Sequence, residues 1–377
     1  MQIAFYAPMK PPDHPVPSGD RRMARLLMAA LREAGHRVGL ASRFRSYDGT
    51  GDPRRQAALR AAGGAAAAAL IEGYRGVAQP RPQLWFTYHL YHKAPDWLGA
   101  TVAAALSIPY VVAEASHAPK RAGGPWDLGH RAAAVQIAAA DAVLCLTRLD
   151  LDCVAPLVQA PSRLHHLPPF IDDAAVTGAA GCGAARRRAL SEEHGLDVAS
   201  PWLIAVGMMR EGDKLESYRR LGDALERLAG RGWHLLVVGD GPARAAVEMA
   251  LSSVRGRTTF LGALAPERLS GTLAAADLCV WPAAGEAYGM ALLEAQAAGL
   301  PVVAGAERGV PDLVRDGETG LLCPPADVEA FAAAVARLLD DSGLRQSLGR
   351  RARELVRSER SLGAAARRLD TIIRGLG

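Results

Sequence analysis

At 377 residues, 50% hydrophobic and 22% charged, the chain is too long for one ordinary core and too apolar to be disordered. No apolar stretch reaches the roughly 18 to 20 uncharged residues of a membrane span. The opening MQIAFYAPMKPP lacks the layout of a signal peptide, so a cytoplasmic location is expected. The formal charge of +5 lies wholly in residues 1–175, with 19 Lys+Arg against 14 Asp+Glu, whereas residues 176–377 hold 25 of each. A basic face of this kind suits peripheral contact with an anionic membrane or an acidic substrate, and compositional drift explains it equally well.

Short β-branched or aromatic runs alternate with helical patterns along the whole chain. IAFYA (3–7) and RVGLA (37–41) read as strands, and between them Met23, Leu26, Leu27, Ala30, Leu31 and Ala34 recur at helical spacing behind a loop ending at Gly19. The Ala/Gly tract at 57–70 reflects the same alanine bias as the rest of the chain and is assigned no function. LWFTY (84–88), YVVAEA (110–115) and AVLCLT (142–147) continue the strand series. Two of these strands end in polar loops, TYHLYHKAPDW (87–97) and EASHAPKRAGGPW (114–126); the first makes His89, Tyr91 and Lys93 binding candidates, while a lone loop histidine such as His117 is by itself more often a surface residue. Asp150-Leu151-Asp152 spells DxD, but it follows Thr147 and belongs in the first turn of a helix, where acids are favoured without a metal.

HHLPPFIDDAAVTGAAGCGAARRR (165–188) has linker composition. The expected division is a first domain at 1–172, a linker at 173–184, a second domain at 185–358 and a final helical segment at 359–377. The second half holds six more strand-like runs, WLIAVG (202–207), HLLVVG (234–239), TTFLG (258–262), LCVWP (278–282), PVVAG (301–305) and GLLCP (320–324). Eleven strands broken in the middle imply an α/β protein of two doubly wound, Rossmann-like domains with parallel sheets. Their ligands are expected at the carboxyl ends of the strands, in a cleft the two domains share.

The loop VGMMREGDK (206–214) superficially resembles a P-loop, but Asp213 intervenes and no Ser/Thr follows Lys214. Its cations, Arg210 and Lys214, suit a departing diphosphate instead. GEAYGMALLEAQAAGLPVVAG (285–305) opens as a glycine-flanked loop and becomes a helix from about Met290, so its first N–H groups and positive dipole end suit a phosphate. Glu286 and Glu294 stand eight residues apart across that boundary. The five cysteines, Cys145, Cys153, Cys182, Cys279 and Cys323, show no metal or disulfide spacing, and no other cluster has metal-ligand spacing, so no metal is expected. The few aromatics form no stacking platform for nucleic acid, and no nucleic-acid partner is expected.

The E-x7-E pattern in EAYGMALLEAQAAGLPVVAG, with GVPDLVRDGETGLLCPPAD (309–327), VVGDGPAR (237–244) and LPPFIDD (167–173), resembles the retaining glycosyltransferases of family 4, which have the GT-B fold. The resemblance implies a nucleotide-sugar donor, an acceptor hydroxyl, no metal or other cofactor, and a last helix that crosses back onto the first domain. It implies that Glu294 binds the donor ribose. Glu286, with the N–H groups of Tyr288, Gly289 and Met290, would face the sugar and diphosphate, and the backbone at 260–262 would hold the base. Gly207 and Lys214 fit the family's cationic loop, while Met208 occupies the usual arginine position and Arg210 is its substitute. Gly19 lies in the family's first glycine loop, although Asp20 stands where a second glycine is common. His117 matches a histidine beside the donor sugar, and His89, Tyr91 and Lys93 are acceptor candidates.

The implied reaction is front-face attack by the acceptor hydroxyl with the departing phosphate as base, since no carboxylate nucleophile is evident in the first domain. The alternatives are a sugar-nucleotide epimerase or a phosphorylase on the same fold, or a catalytically silent nucleotide-sugar-binding module. A phosphorylase needs a pyridoxal-phosphate lysine, and Lys10, Lys93, Lys120 and Lys214 are the only lysines.

Overall fold

The computed structural model describes residues 1–16, 18–76, 80–174 and 183–376. Most of the expected linker at 173–184, with Cys182, lies outside the described residues. Contacts divide the chain into two units, Met1–Pro168 with Leu362–Gly377, and Pro169–Ser361.

The first unit is a six-stranded parallel sheet in the order β2-β1-β3-β4-β5-β6. Its strands are β1 (Gln2–Tyr6), β2 (Arg37–Leu40), β3 (Leu84–Leu90), β4 (Tyr110–Ala115), β5 (Ala142–Cys145) and β6 (Leu164–His166). Helices α1 (Gly19–Glu33), α2 (Pro53–Arg75), α3 (Gly99–Leu106), α4 (Asp127–Ala139) and α5 (Arg148–Val154) connect them. The α1 stripe buries Met23, Leu26, Leu27, Ala30 and Leu31, each worth about 1.5–3 kcal/mol if large and fully covered. Its start is fixed by Ser18, whose hydroxyl accepts from the Arg21 N–H at 3.2 Å. A strand the sequence reading missed, β6, has only three half-buried residues, Leu164–His166, and carries no apolar run to announce it.

Beneath β3 and β4, the buried Asp96 carboxylate accepts from the Tyr110 hydroxyl at 2.9 Å and from the Leu98 and Gly99 N–H groups at 2.9 and 2.7 Å. The final helix, α13 in this numbering (Leu362–Arg374), belongs to the first unit and packs on α1. His36 Nε2 lies 3.3 Å from its Asp370 carboxylate.

The second unit has a six-stranded parallel sheet in the order β12-β11-β10-β7-β8-β9. Its strands are β7 (Trp202–Val206), β8 (His234–Val238), β9 (Thr258–Gly262), β10 (Leu278–Trp281), β11 (Val302–Gly305) and β12 (Gly320–Cys323). Its helices are α6 (Gly183–His194), α7 (Asp213–Glu226), α8 (Arg244–Ala250), α9 (Pro266–Ala275), α10 (Met290–Ala298), α11 (Val328–Asp340) and α12 (Ser342–Leu355). Strand order reverses between β7 and β10, so the loops after these neighbours diverge and leave a crevice at their carboxyl ends. In the first sheet the same reversal falls between β1 and β3.

Among the described residues, no helix is long and apolar enough to cross a membrane, and no group of three His, Cys, Asp or Glu is arranged to hold a metal. Asp150 of the DxD pattern lies in the first turn of a helix capped by Thr147: its N–H donates to the Thr147 hydroxyl at 3.1 Å, and that hydroxyl donates to its carboxylate at 2.7 Å.

Candidate active site

The reversal point of the second sheet brings together Gly207, Lys214 and Glu286 of the residues singled out from sequence. After β7, the loop 207–212 lies flat against the loop after β8. Gly207 N–H donates to the Val238 carbonyl at 3.0 Å, and Met209 N–H to that of Asp240 at 3.0 Å. The contact requires glycine opposite. A Cβ on Gly239 would stand 1.9 Å from the Gly207 carbonyl oxygen, and one on Gly241 2.3 Å from that of Met209. Within this loop Met209 is buried, while Met208 and Arg210 are exposed.

The loop delivers Lys214 to the first turn of α7. Its ammonium pairs with Glu286 Oε2 and stands 5.4 Å from the centre of the Trp281 ring. Trp281 is the last residue of β10, and its indole N–H donates to the same Glu286 oxygen at 3.3 Å. Tyr218 packs edge-on against Trp281 at 5.0 Å and donates its hydroxyl to the Gly207 carbonyl at 2.9 Å. One aromatic pair therefore supports both the cationic loop and the acidic one. Gly285, at φ 60°, rests on the Asp213 carboxylate, where a Cβ would come within 2.2 Å. Ala283 is wholly buried at φ 61°, a left-handed conformation rare outside glycine, so the chain is held bent as it leaves β10.

Helix α10 starts at Met290 after Gly289, which has φ 82° and provides no side-chain cap. Of its first-turn N–H groups, that of Leu292 donates to the Gly289 carbonyl at 2.9 Å, and those of Met290 and Ala291 remain to suit an anion. Glu294 is inside this helix and 8% exposed, and Tyr288 is half-buried on the approach to it. At the end of β9, the Phe260 ring carries the Arg244 guanidinium at 5.5 Å, and the Gly262 carbonyl accepts from Gly239 N–H at 2.9 Å.

At the reversal point of the first sheet, Gly19 begins α1, and Asp20 beside it lies 3.1 Å from His89 Nδ1. Glu114 reaches the same nitrogen at 3.6 Å. His89 and Glu114 are the next-to-last residues of neighbouring strands and adopt left-handed conformations, φ 63° and 56°. Burial alone would lower the His89 imidazole, but the Glu114 and Asp20 carboxylates hold it above the ordinary histidine value. Burial would raise Asp20, and the His89 hydrogen bond and charge bring it below the usual carboxylate range. Glu114 is pushed up by burial, with His89 opposing. The Tyr91 ring lies tilted against His89 at 5.0 Å, and its hydroxyl donates to Met9 Sδ at 3.5 Å. Lys93 lies over the Trp126 ring at 4.5 Å, and His117 faces His130 at 4.3 Å.

The structure thus joins Lys214 directly to Glu286, leaves Arg210 exposed outside that pair, and sets Gly207 beneath Trp281 and Tyr218. Sequence reading missed Trp281, Asp213 and Tyr218 in the second unit, and Asp20 and Glu114 as partners of His89. A tryptophan closing the LCVWP strand was the available signal, since side chains at that end border the crevice.

Residues 200–341 match the family model described as Glycosyl transferases group 1, and the second unit is a domain of that family. The chain is 34% identical over 241 residues to alpha-D-kanosaminyltransferase from Streptomyces kanamyceticus, covering 63% of this chain and 61% of that protein. It is 33% identical over 241 residues to a D-inositol 3-phosphate glycosyltransferase from Xylanimonas cellulosilytica, covering 62% and 57%. The match therefore spans about 60% of the length of these two relatives. In fold it resembles sucrose-phosphate synthase from Thermosynechococcus elongatus, with TM-score 0.71, 22% identity and coverage of 100% and 98%. It also resembles Anabaena Alr3699/HepE in complex with UDP, with TM-score 0.74, 16% identity and 100% coverage of both chains. The two Rossmann-like units have the GT-B fold.

Proposed function

We propose that this chain transfers a sugar from a nucleoside-diphosphate sugar to an acceptor hydroxyl, retaining anomeric configuration and needing no metal. The observation that carries the reading is the Lys214–Glu286 pair, held by Trp281 at the strand-order reversal beside the uncapped start of α10. An ammonium and helix N–H groups converge there, as an anionic leaving group requires.

In this reading the donor diphosphate lies on the N–H groups of Gly289 and Met290, and Glu294 accepts hydrogen bonds from the ribose hydroxyls. As the bond from the anomeric carbon to the β-phosphate oxygen breaks, its electron pair passes to the diphosphate. Lys214 then turns from Glu286 toward that growing charge. Arg210, exposed on its loop, is the second cation. The acceptor oxygen bonds to the anomeric carbon from the face the phosphate leaves, and its proton passes to the phosphate. His117 is assigned to the transferred sugar, and His89, Tyr91 and Lys93 to the acceptor. A cytoplasmic location belongs to the same proposal.

Alr3699/HepE of the same fold has been solved with UDP and with UDP-glucose, so UDP-sugars are the first donors to test. The test is product analysis by NMR in the presence of a chelator. Nucleoside diphosphate with a product of unchanged anomeric configuration supports the reading. An isomerised donor would identify an epimerase, and donor binding without turnover a silent module.

A further inference from the structure

Three contacts anchor the start of α4. The Trp126 indole N–H donates to the Asp48 carbonyl at 2.9 Å, and the Gln56 amide donates to that of Pro125 at 2.8 Å. A Cβ on Gly129 would stand 2.1 Å from the His92 carbonyl oxygen, so the helix turn lies directly on the loop after β3. His130, the next residue, is 7% exposed and has little freedom to move. Its Nε2 meets the Ala118 carbonyl at 3.1 Å. A carbonyl only accepts, so that nitrogen carries a proton, and the loop after β4 is tied to α4 one residue beyond His117.

The His117 and His130 rings lie 4.3 Å apart, tilted by 35°. His117 Nε2 and His130 Nδ1 are both buried, and among the described residues neither has a hydrogen-bond partner. A buried acceptor without a partner is tolerated better than a buried N–H without one, and far better than a buried charge. The inward Nε2 of His117 is therefore the nitrogen without a proton, and Nδ1 carries it. The nearby carboxylates are committed elsewhere. Asp127 accepts from Gly123 N–H at 2.8 Å and pairs with Arg131 at 3.0 Å, and Asp48 accepts from Thr50 and Gly51 and pairs with Arg55 of α2 at 3.5 Å. Glu114 of β4 faces His89 at 3.6 Å, and Arg60 of α2 lies over Trp97 at 5.9 Å. The other charged neighbours on the two loops, Lys93, Lys120 and Arg121, are cations, and His92 is a third imidazole. Burial, and then the charge of His130, hold His117 below the ordinary histidine value.

Resting on the transferase reading, we propose that His130 is a positioning residue for His117: its N–H sets the loop through the Ala118 carbonyl, and its ring covers the inward Nε2, so that a neutral His117 donates from Nδ1 to a hydroxyl of the transferred sugar. The two histidines divide the work. One is locked in a helix and holds the backbone, and the other stands on the loop with a single tautomer presented outward.

The test is a multiple-bond proton–nitrogen NMR spectrum of the full-length protein, labelled at histidine, at a pH of about 7.5, where an ordinary histidine is mostly neutral. His117 is expected neutral with its proton on Nδ1; a proton on Nε2, or on both nitrogens, overturns the proposal. This readout needs no turnover, so it still decides if the transferase reading fails. Two variants separate the roles of His130. His130→Phe keeps a ring against His117 and removes the donor to Ala118, whereas His130→Gln restores a donor there without the ring. With a nucleotide sugar, His130→Phe is expected to lower kcat about tenfold at unchanged nucleoside diphosphate affinity, and His130→Gln to recover most of that loss. In the His130→Gln spectrum the Nδ1 tautomer should give way to a mixture, because the carboxamide oxygen can accept from Nε2. Wild-type kcat in His130→Phe, or a loss of nucleoside diphosphate affinity equal to that of kcat, overturns the proposal and leaves the transferase standing. An unchanged tautomer in His130→Gln overturns the part given to the ring, and it decides that part even where His130→Phe does not fold.

Discussion

Trp281 and Lys214 share one oxygen of Glu286: the indole N–H donates to Oε2 at 3.3 Å while the ammonium pairs with the same atom. The ring thus holds the carboxylate from one side and offers its π-face to the cation. Trp281→Phe keeps the ring and removes the donor. A hydrogen bond to a charged group is worth about 1.5–3 kcal/mol at best, and at this length about 1 kcal/mol is expected. Turnover should fall roughly fivefold, with nucleoside diphosphate affinity and melting temperature nearly unchanged. A variant indistinguishable from wild type would remove Trp281 from the site.

In the proposed function, Glu294 binds donor and Lys214 acts on the reaction. Glu294→Ala should weaken donor binding about 10- to 150-fold, the loss of a charge-assisted hydrogen bond. Lys214→Ala should lower the rate constant beyond any loss of affinity, because it meets charge that grows in the transition state. Arg210→Ala should behave like Lys214→Ala if Arg210 takes the place that Met208 leaves empty. Near-wild-type kinetics would make it a surface residue. Steady-state kinetics with separate binding measurements distinguish these outcomes.

Gly239 carries the contact between the two loops. Its φ of 139° and the 1.9 Å approach of a Cβ to the Gly207 carbonyl oxygen leave no room for a side chain. Gly239→Ala should cost on the order of 2 kcal/mol or more and weaken donor binding by displacing loop 207–212. Urea unfolding and nucleoside diphosphate titration measure the two effects.

The His89 cluster makes stability depend on pH. Its folded pKa lies above the ordinary 6.5, so its pairing with Glu114 and Asp20 contributes fully below that value. The contribution fades as pH rises through the folded pKa. Glu114, raised by burial, likewise favours folding below its folded value, while Asp20, held low, gives way only in acid. An NMR titration should place His89 above 6.5 in the wild type and lower in Asp20→Asn, where Glu114 and the more distant Asp150 remain. An unchanged value would show that Asp20 does not hold the imidazole.

The two sheets were legible because parallel strands buried on both faces read as apolar runs, such as HLLVV in β8, and because helices like α1 carry their buried stripe at a fixed period. β6 was not legible, since Leu164, His165 and His166 are half-buried and show no such run. Glu286 and Glu294 stood out because loop and helix start are local features. Their neighbours did not. Trp281 reads as strand filler until the fold turns its indole onto Glu286. Asp20, His89 and Glu114 come from three separated segments that only the strand-order reversal brings together. Their left-handed backbones, at His89 and Glu114, have no signature in residue type. The DxD pattern misleads for the opposite reason: Asp150 serves its own helix through Thr147.

The most direct measurement compares wild type and Lys214→Ala for nucleoside diphosphate release from a panel of nucleotide sugars, beginning with UDP-glucose, with chelator and acceptor present. The account predicts release with sugar transfer in the wild type and loss of most of that rate in Lys214→Ala, which still binds donor. Intact or isomerised donor throughout, or equal rates in the two proteins, would contradict it.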